Sequence, residues 1–170
     1  MNFLISLKEK KNDIFKKKNI IYLILILIIF FLDRYSKLNV INNFNENIYY
    51  LNAFINLDLI WNTGVGFGLL SSTSNFIYNL ITVLIGSIIL ILIFITFTSN
   101  KIEKIIFSLI SGGALGNFFD RIYFKAVPDF IDLHFKNFHW FTFNIADIFI
   151  TIGLIFMLAH AFINKKNEKN

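Results

Sequence analysis

The chain has 170 residues, of which 56% are hydrophobic and 16% charged, with a mean hydropathy of +0.64. That balance excludes an ordinary soluble domain of this length and suits a protein that crosses a bilayer several times. The net charge is +5, and there is no cysteine, so disulfides, a thiolate nucleophile and cysteine-based metal sites are excluded.

In chain order, a basic leader over 1–19 precedes the first apolar stretch, which is unbroken from Ile20 to Leu32. A helix crosses a bilayer core in about 20 residues. The apolar runs predict spans over roughly 20–40, 76–97, 103–121 and 143–163, followed by a tail over 164–170. The second and fourth spans reach that length on apolar residues alone. The first and third reach it only by including Asp33, Lys37, Asn117 or Asp120, which must then lie at a membrane face or inside the bundle. The leader and first stretch do not read as a cleaved signal peptide, because Asp33-Arg34-Tyr35-Ser36-Lys37 follows them instead of small residues.

Lysine and arginine placement sets the expected orientation. Eleven of these residues fall in the leader, at Lys101 and Lys104, and in the tail; five (Arg34, Lys37, Arg121, Lys125 and Lys136) fall on the other side. Both termini are therefore expected in the cytoplasm. Two segments then face outward, Leu38 to Asn75 and Arg121 to Thr142. In the first, Ile55, Leu57, Leu59 and Trp61 alternate with Asn56, Asp58 and Asn62, a period of two that predicts a strand on the membrane surface. The expected fold is an all-α membrane protein, one domain of four transmembrane helices with a small extracytoplasmic β-rich segment.

This orientation gathers polar groups at one depth. Asp33 and Asp120 come to the outer ends of the first and third helices, Asn144 and Asp147 to the first turns of the fourth, and Asn62 and Asp129 to the outer segments. Ionisable groups in spans cost several kcal/mol unless paired or solvated, so their convergence marks a site. Asn117, Asp120 and Arg121 share a helix face, on which the Asp and the Arg can pair or serve the site directly, and Asp33 and Lys37 stand in the favourable i, i+4 order. Gly112 and Gly116 form a G-x-x-x-G that allows close helix approach. His134, His139 and His160 show no metal-ligand spacing, and no serine nucleophile motif occurs. Asp132 and His134 read as a solvated loop pair. Carboxylates remain, and two aspartates sharing a proton can serve as base and acid on water and a carbonyl.

The segments Asp33-Arg34-Tyr35-Ser36-Lys37, Trp61-Asn62-Thr63-Gly64, Gly116-Asn117-Phe118-Phe119-Asp120-Arg121, Val127-Pro128-Asp129-Phe130 and Phe143-Asn144-Ile145-Ala146-Asp147 together resemble the lipoprotein signal peptidase (signal peptidase II) family, in the family's order across positions 33 to 147. The resemblance implies Asp129 and Asp147 as catalytic aspartates. It implies Asn62, Asn117, Asp120, Arg121 and Asn144 as substrate-binding or supporting residues, and Asp33 with Lys37 as a structural or positioning pair. It also implies a bacterial cytoplasmic (inner) membrane enzyme with its site at the outer face. Such an enzyme removes the signal peptide from diacylglyceryl-modified prolipoproteins on the N-terminal side of the lipidated cysteine. No cofactor, metal or nucleic-acid partner is expected; membrane lipids are expected partners, and a monomer is the expected state. Two departures stand out: Pro128 before Asp129, and extra glycine at Val65-Gly66, where the family has alanine. A proton-coupled transporter and a metal-dependent lipid-headgroup enzyme using Asp120, Asp129, Asp132 and Asp147 are the rival readings.

Overall fold

The computed structural model describes residues 17–44, 48–64 and 75–167. Most of the leader and the glycine-bearing run from Val65 onward lie outside these residues. One 3-10 turn, Lys17–Asn19, leads into α1 (Ile20–Asn43). Then follow β1 (Tyr49–Tyr50), β2 (Ile55–Asn62), α2 (Asn75–Thr98), α3 (Lys101–Tyr123), β3 (Val127–Phe135), β4 (Phe138–Phe143) and α4 (Ile145–Asn167). All four α-helices are long and apolar enough to cross a membrane. The expected fold class, four spanning helices with a small sheet, is the one found.

The bundle is built around α3, which packs against each of the other three helices. It is the least apolar of the four, and α2 the most. This ordering follows from position. A helix facing lipid must be apolar outward, whereas a central helix meets other helices over more of its surface and can carry glycine and polar groups there. Accordingly α2 presents Phe76, Leu80, Val83, Leu84 and Leu90 outward as exposed side chains.

The glycines of α3 set its distances to two neighbours. A Cβ at Gly112 would lie 2.8 Å from Ile29 Cβ and 3.0 Å from the Ile26 carbonyl of α1. Gly116 is overlain by the Asp33 carboxylate, again of α1. Gly113, one position on from Gly112, faces α4 instead, beneath the Ala146 carbonyl and the Ile150 side chain. The start of α3 is fixed by a capping box: Asn100 Oδ1 accepts the N–H groups of Ile102 and Glu103, both at 3.0 Å, and Glu103 reaches back to the Asn100 N–H. Its end is a left-handed turn at Lys125, φ 60°, directly after the Phe124 cap. That turn sends the chain into β3.

The sheet has the order β1-β2-β3-β4, antiparallel throughout. In register, Ile60 faces Asp129, Trp61 faces Pro128 and Asn62 faces Val127, after a register shift between Leu57 and Ile60. The strand predicted from the alternation is present as β2, but burial along it does not alternate. Asn56 is buried, while Ile60 and Trp61 are exposed, as expected where the outer face meets an interface suited to aromatics.

Two expectations change. First, α1 continues ten residues beyond Asp33 to Asn43, so Asp33 lies within the helix and not at its end. Apolar counting stops at Leu32, but the helix continues because Asp33, Arg34 and Lys37 turn inward and Leu38 turns outward. Second, Asp132 and His134 are not a solvated loop pair. Asp132 is a buried residue of β3, with His139 Nδ1 2.7 Å from its Oδ2 and His134 Nδ1 at 3.6 Å.

Because Gly113 meets backbone of α4, Gly113→Val should push α3 and α4 apart and cost about 1–3 kcal/mol, seen as a lower apparent melting temperature in detergent. An unchanged melting temperature would mean that this close approach is not needed.

Candidate active site

The site is assembled where the sheet meets the bundle. Asp129 comes from β3. Asp147 is the third residue of α4, and Asn144 immediately precedes that helix. Asn144 and Asp147 cap each other: Asn144 Oδ1 accepts the Asp147 N–H at 3.1 Å, and Asp147 Oδ2 accepts the Asn144 N–H at 3.2 Å. This reciprocal pairing between the N-cap and third positions is capping-box geometry. It holds Asp147 at a helix N-terminus, where the helix dipole favours negative charge.

Three asparagine amides link the two aspartates to the scaffold, and each uses both ends. Asn144 donates to Asp129 Oδ1 at 2.5 Å while its oxygen holds the Asp147 N–H. Asn62 donates to Asp129 Oδ2 at 2.9 Å while its oxygen accepts the Gly64 N–H at 2.8 Å. Asn117 donates to Asp147 Oδ1 at 2.8 Å while its oxygen accepts from Lys37 at 2.8 Å. A side chain carrying both a donor and an acceptor is required at all three positions.

Behind the asparagines lies a buried charge cluster. Lys37 Nζ donates to Asp33 Oδ2 and Asp120 Oδ2, both at 2.7 Å, as well as to Asn117, which uses all three of its donors. Asp33 and Lys37 thus form the expected pair, and it is fully buried. Asp33 Oδ1 also accepts the Ala146 N–H at 3.0 Å, so a carboxylate of α1 reaches the first turn of α4. Gly116 provides the space for that carboxylate. Asp120 pairs with Arg34 and Lys37, and of the two roles open to Asp120 and Arg121 their mutual ion pair is not the one formed. Arg121 instead donates to the Asn117 carbonyl at 3.1 Å and to the Gly64 carbonyl at 2.8 Å, bracing the segment after β2. Its own carbonyl accepts from Tyr78 of α2 at 3.1 Å.

Two members were not singled out from the sequence. Arg34 stands in the first motif, three residues before Lys37, and that spacing was its signal. It lies 4.9 Å from the centroid of the Phe119 ring as well as on Asp120. Tyr78 stands in no motif and had no signal in the sequence.

Burial, then the neighbouring negative charge of Asp147, raises the pKa of Asp129 from 3.8 to about 6; hydrogen bonds from Asn62 and Asn144 and the charge of Lys37 oppose this. A strongly perturbed carboxyl beside a second carboxylate is suited to acid–base chemistry. A cavity of ≈ 260 Å³ adjoins Asp147, walled by Phe141, Phe143, Ile148, Thr151 and Ile152.

A shared metal site for Asp120, Asp129, Asp132 and Asp147 does not fit these contacts. Asp120 is committed to Arg34 and Lys37, and Asp132 faces His139 on another part of the sheet. Among the described residues no group of three metal-binding side chains is placed to hold an ion.

Fold and site together define a polytopic helical membrane protein with two aspartates joined through Asn144 where the sheet meets the bundle. The family model described as "Signal peptidase (SPase) II" matches residues 25–163. A lipoprotein signal peptidase of Pelagibacter ubique is 49% identical over 165 residues, covering 94% of this chain and 99% of that one. One from Francisella tularensis subsp. novicida is 36% identical over 153 residues, covering 86% and 94%. A solved bacterial membrane enzyme structure, obtained by the in meso method at 2.3 Å, superposes with a TM-score of 0.73 at 27% identity, covering 86% of this chain and 90% of that one. The chain belongs to the signal peptidase II family, and is a peptidase.

Two outcomes follow from the buried charges. Removing one member of a buried ion cluster leaves the others uncompensated, at about 3–5 kcal/mol. Lys37→Met should therefore lower the apparent melting temperature sharply, and a parent-like value would show that the cluster is dispensable. Asp129 binds its proton more tightly folded than unfolded, so its contribution to stability is present at low pH and is lost as pH rises through about 6. The melting temperature of the parent should fall from about pH 5 to about pH 7 more steeply than that of Asp129→Asn; parallel slopes would remove Asp129 as the source.

Proposed function

We propose that this chain removes the signal peptide from diacylglyceryl-modified prolipoproteins, cleaving on the N-terminal side of the lipidated cysteine, with Asp129 and Asp147 as the catalytic dyad. The observation that carries the reading is Asn144, whose single amide touches both aspartates at the junction of strand and helix. The lipoprotein signal peptidase relatives supply the reaction class.

In this mechanism Asp147 is the ionised partner and takes a proton from a water held between the carboxylates. The resulting hydroxide attacks the scissile carbonyl carbon, while protonated Asp129 donates to the carbonyl oxygen. On collapse the C–N bond breaks, the amine takes the proton held by Asp147, and the carbonyl oxygen returns its proton to Asp129. Both carboxyls end as they began. Asn62, Asn117 and Asn144 hold the aspartates in register, and Arg121 braces the segment after Asn62. The apolar cavity beside Asp147 suits an aliphatic part of the substrate.

The protein acts in the bacterial inner membrane with both termini in the cytoplasm and the dyad at the outer face, a placement supported by the eleven-to-five split of basic residues. It acts as a monomer, in keeping with all of these site residues coming from one chain. A lipid-anchored substrate reaches such a site by lateral movement in the bilayer.

The test is cleavage of a diacylglyceryl-modified prolipoprotein by the detergent-purified protein, with and without EDTA. Asp129→Asn and Asp147→Asn should each stay folded and lose at least about 10²-fold in rate, and EDTA should have no effect. The pH profile of kcat/KM should fall on the alkaline side as Asp129 loses its proton, from near pH 6 upward in the free enzyme. Near-parent rates in either variant would remove the dyad, and loss of activity in EDTA would remove the metal-free reaction.

A further inference from the structure

A second cavity, of ≈ 360 Å³, opens at the opposite end of the bundle between the start of α1 and the α2–α3 turn. Lys104 of its lining and Asn117 of the site are thirteen residues apart on α3, which separates them by about 20 Å at the rise of an α-helix. Among the described residues the cavity is lined by Lys18, Tyr22, Thr98, Ser99, Lys101 and Lys104 together with Asn100, none of them acidic.

The lining divides into a buried lysine and two exposed ones. Lys104 is only 7% exposed, and its Nζ donates to Asn19 Oδ1 at 2.6 Å and to the Phe97 carbonyl at 2.9 Å, 5.5 Å from the centroid of the Tyr22 ring. Its position is thereby set. Lys18, just before α1, and Lys101, at the start of α3, are exposed members of the same lining. Two flexible ammonium groups and the hydroxyls of Thr98 and Ser99 around a concave space suit a phosphate, whose oxygens accept from ammonium and hydroxyl groups alike.

The source of that phosphate follows from what flanks the cavity. One turn further along from Lys18 and Lys101, Ile21 and Ile105 are exposed, as are Ile20 and Ile102 beside them. A free anion would have no use for this apolar border, whereas a phospholipid presents a phosphate at the membrane surface and acyl chains directly beneath it. We infer that this cavity binds the phosphate of an anionic phospholipid, with Lys18 and Lys101 closing on the headgroup and the acyl chains lying along the outer faces of α1 and α3. The site is separate from the aspartates and does not depend on the reaction assigned to them.

The experiment is native mass spectrometry of the full chain in detergent, titrated with dioleoylphosphatidylglycerol, with dioleoylphosphatidylcholine, or with inorganic phosphate. Variants are Lys18→Gln and Lys101→Gln, singly and together, with Lys165→Gln as a lysine at the same end but outside the cavity. Melting temperature and peptidase activity in phosphatidylcholine serve as the check on folding, and the exposed lysines should leave both unchanged. The parent and Lys165→Gln should retain one phosphatidylglycerol, each single variant should bind more weakly, and the double variant should lose about tenfold or more in affinity. Phosphatidylcholine and inorganic phosphate should not bind at the same concentrations. Equal retention in the double variant, equal retention of phosphatidylcholine, or an equal loss in Lys165→Gln would each overturn the site, the last by reducing it to diffuse attraction. Binding of inorganic phosphate as tight as that of the lipid would overturn the lipid as its occupant.

Discussion

The ammonium group of Lys37 is the point from which the rest of the structure is held. It is fully buried, and its three donors go to Asp33, Asn117 and Asp120 at 2.7, 2.8 and 2.7 Å. An unpaired charge at such a place would be prohibitive, so the helices that supply its partners cannot drift apart without exposing it to hydrocarbon. Lys37 therefore fixes α1 against α3. Asp33 extends the same constraint to α4 by accepting the Ala146 N–H. Arg34 adds a second cation on Asp120 and brings the cluster to two positive and two negative groups. A hydrophobic core of equal volume could supply comparable stability. It could not supply the directions in which Asn117 and the first turn of α4 are held.

Those directions matter because the asparagines transmit them. Asn117 stands between the cluster and Asp147, and Asn144 stands between Asp147 and Asp129. Each link uses an amide oxygen on one side and an amide nitrogen on the other. The chain from Lys37 to Asp129 therefore has a fixed sense that neither a carboxylate nor an ammonium could provide. Arg121 closes the remaining side by gripping the Gly64 carbonyl next to Asn62. Close approach of backbone is the second requirement. Gly116 leaves room for the Asp33 carboxylate, and Gly113 lets α4 come near enough for Asp147 to meet Asn117.

The sequence made the spans, the first long strand and the site residues legible to different degrees, for physical reasons. The apolar runs of α2 and α4 face lipid along their whole length and are visible as hydropathy alone. For α1 the apolar signal ends at Leu32, because the next residues point into the bundle, and polarity there records a partner and not water. Pairwise contacts across the fold left less trace. Adjacent Asp120 and Arg121 invited pairing, yet successive residues on a helix point about 100° apart, and each found a nearer partner on another element. The contact between Asp132 and His139 depends on the register of β3 with β4, including its shift between Leu133 and His134, which no local pattern specifies. The asparagines were recognisable as a set from the motifs, but their two-ended use emerges only in three dimensions.

The difference between the supports of Asp129 and Asp147 bears on the proposed chemistry. Asp147 lies at a helix N-terminus and is half-exposed, with an N–H group and the Asn117 amide on its two oxygens. Asp129 is buried on a strand, with only the side-chain amides of Asn62 and Asn144 on its oxygens. Two like carboxyls side by side would compete for one proton without preference. Different surroundings break that symmetry: burial and the neighbouring charge of Asp147 raise the pKa of Asp129, the residue that carries the proton in the proposed mechanism. A pair prepared in this way needs no rearrangement before acting as base and acid. The pair is also maintained by the protein at some expense of stability, since a raised carboxyl pKa means that the ionised form is disfavoured in the folded state.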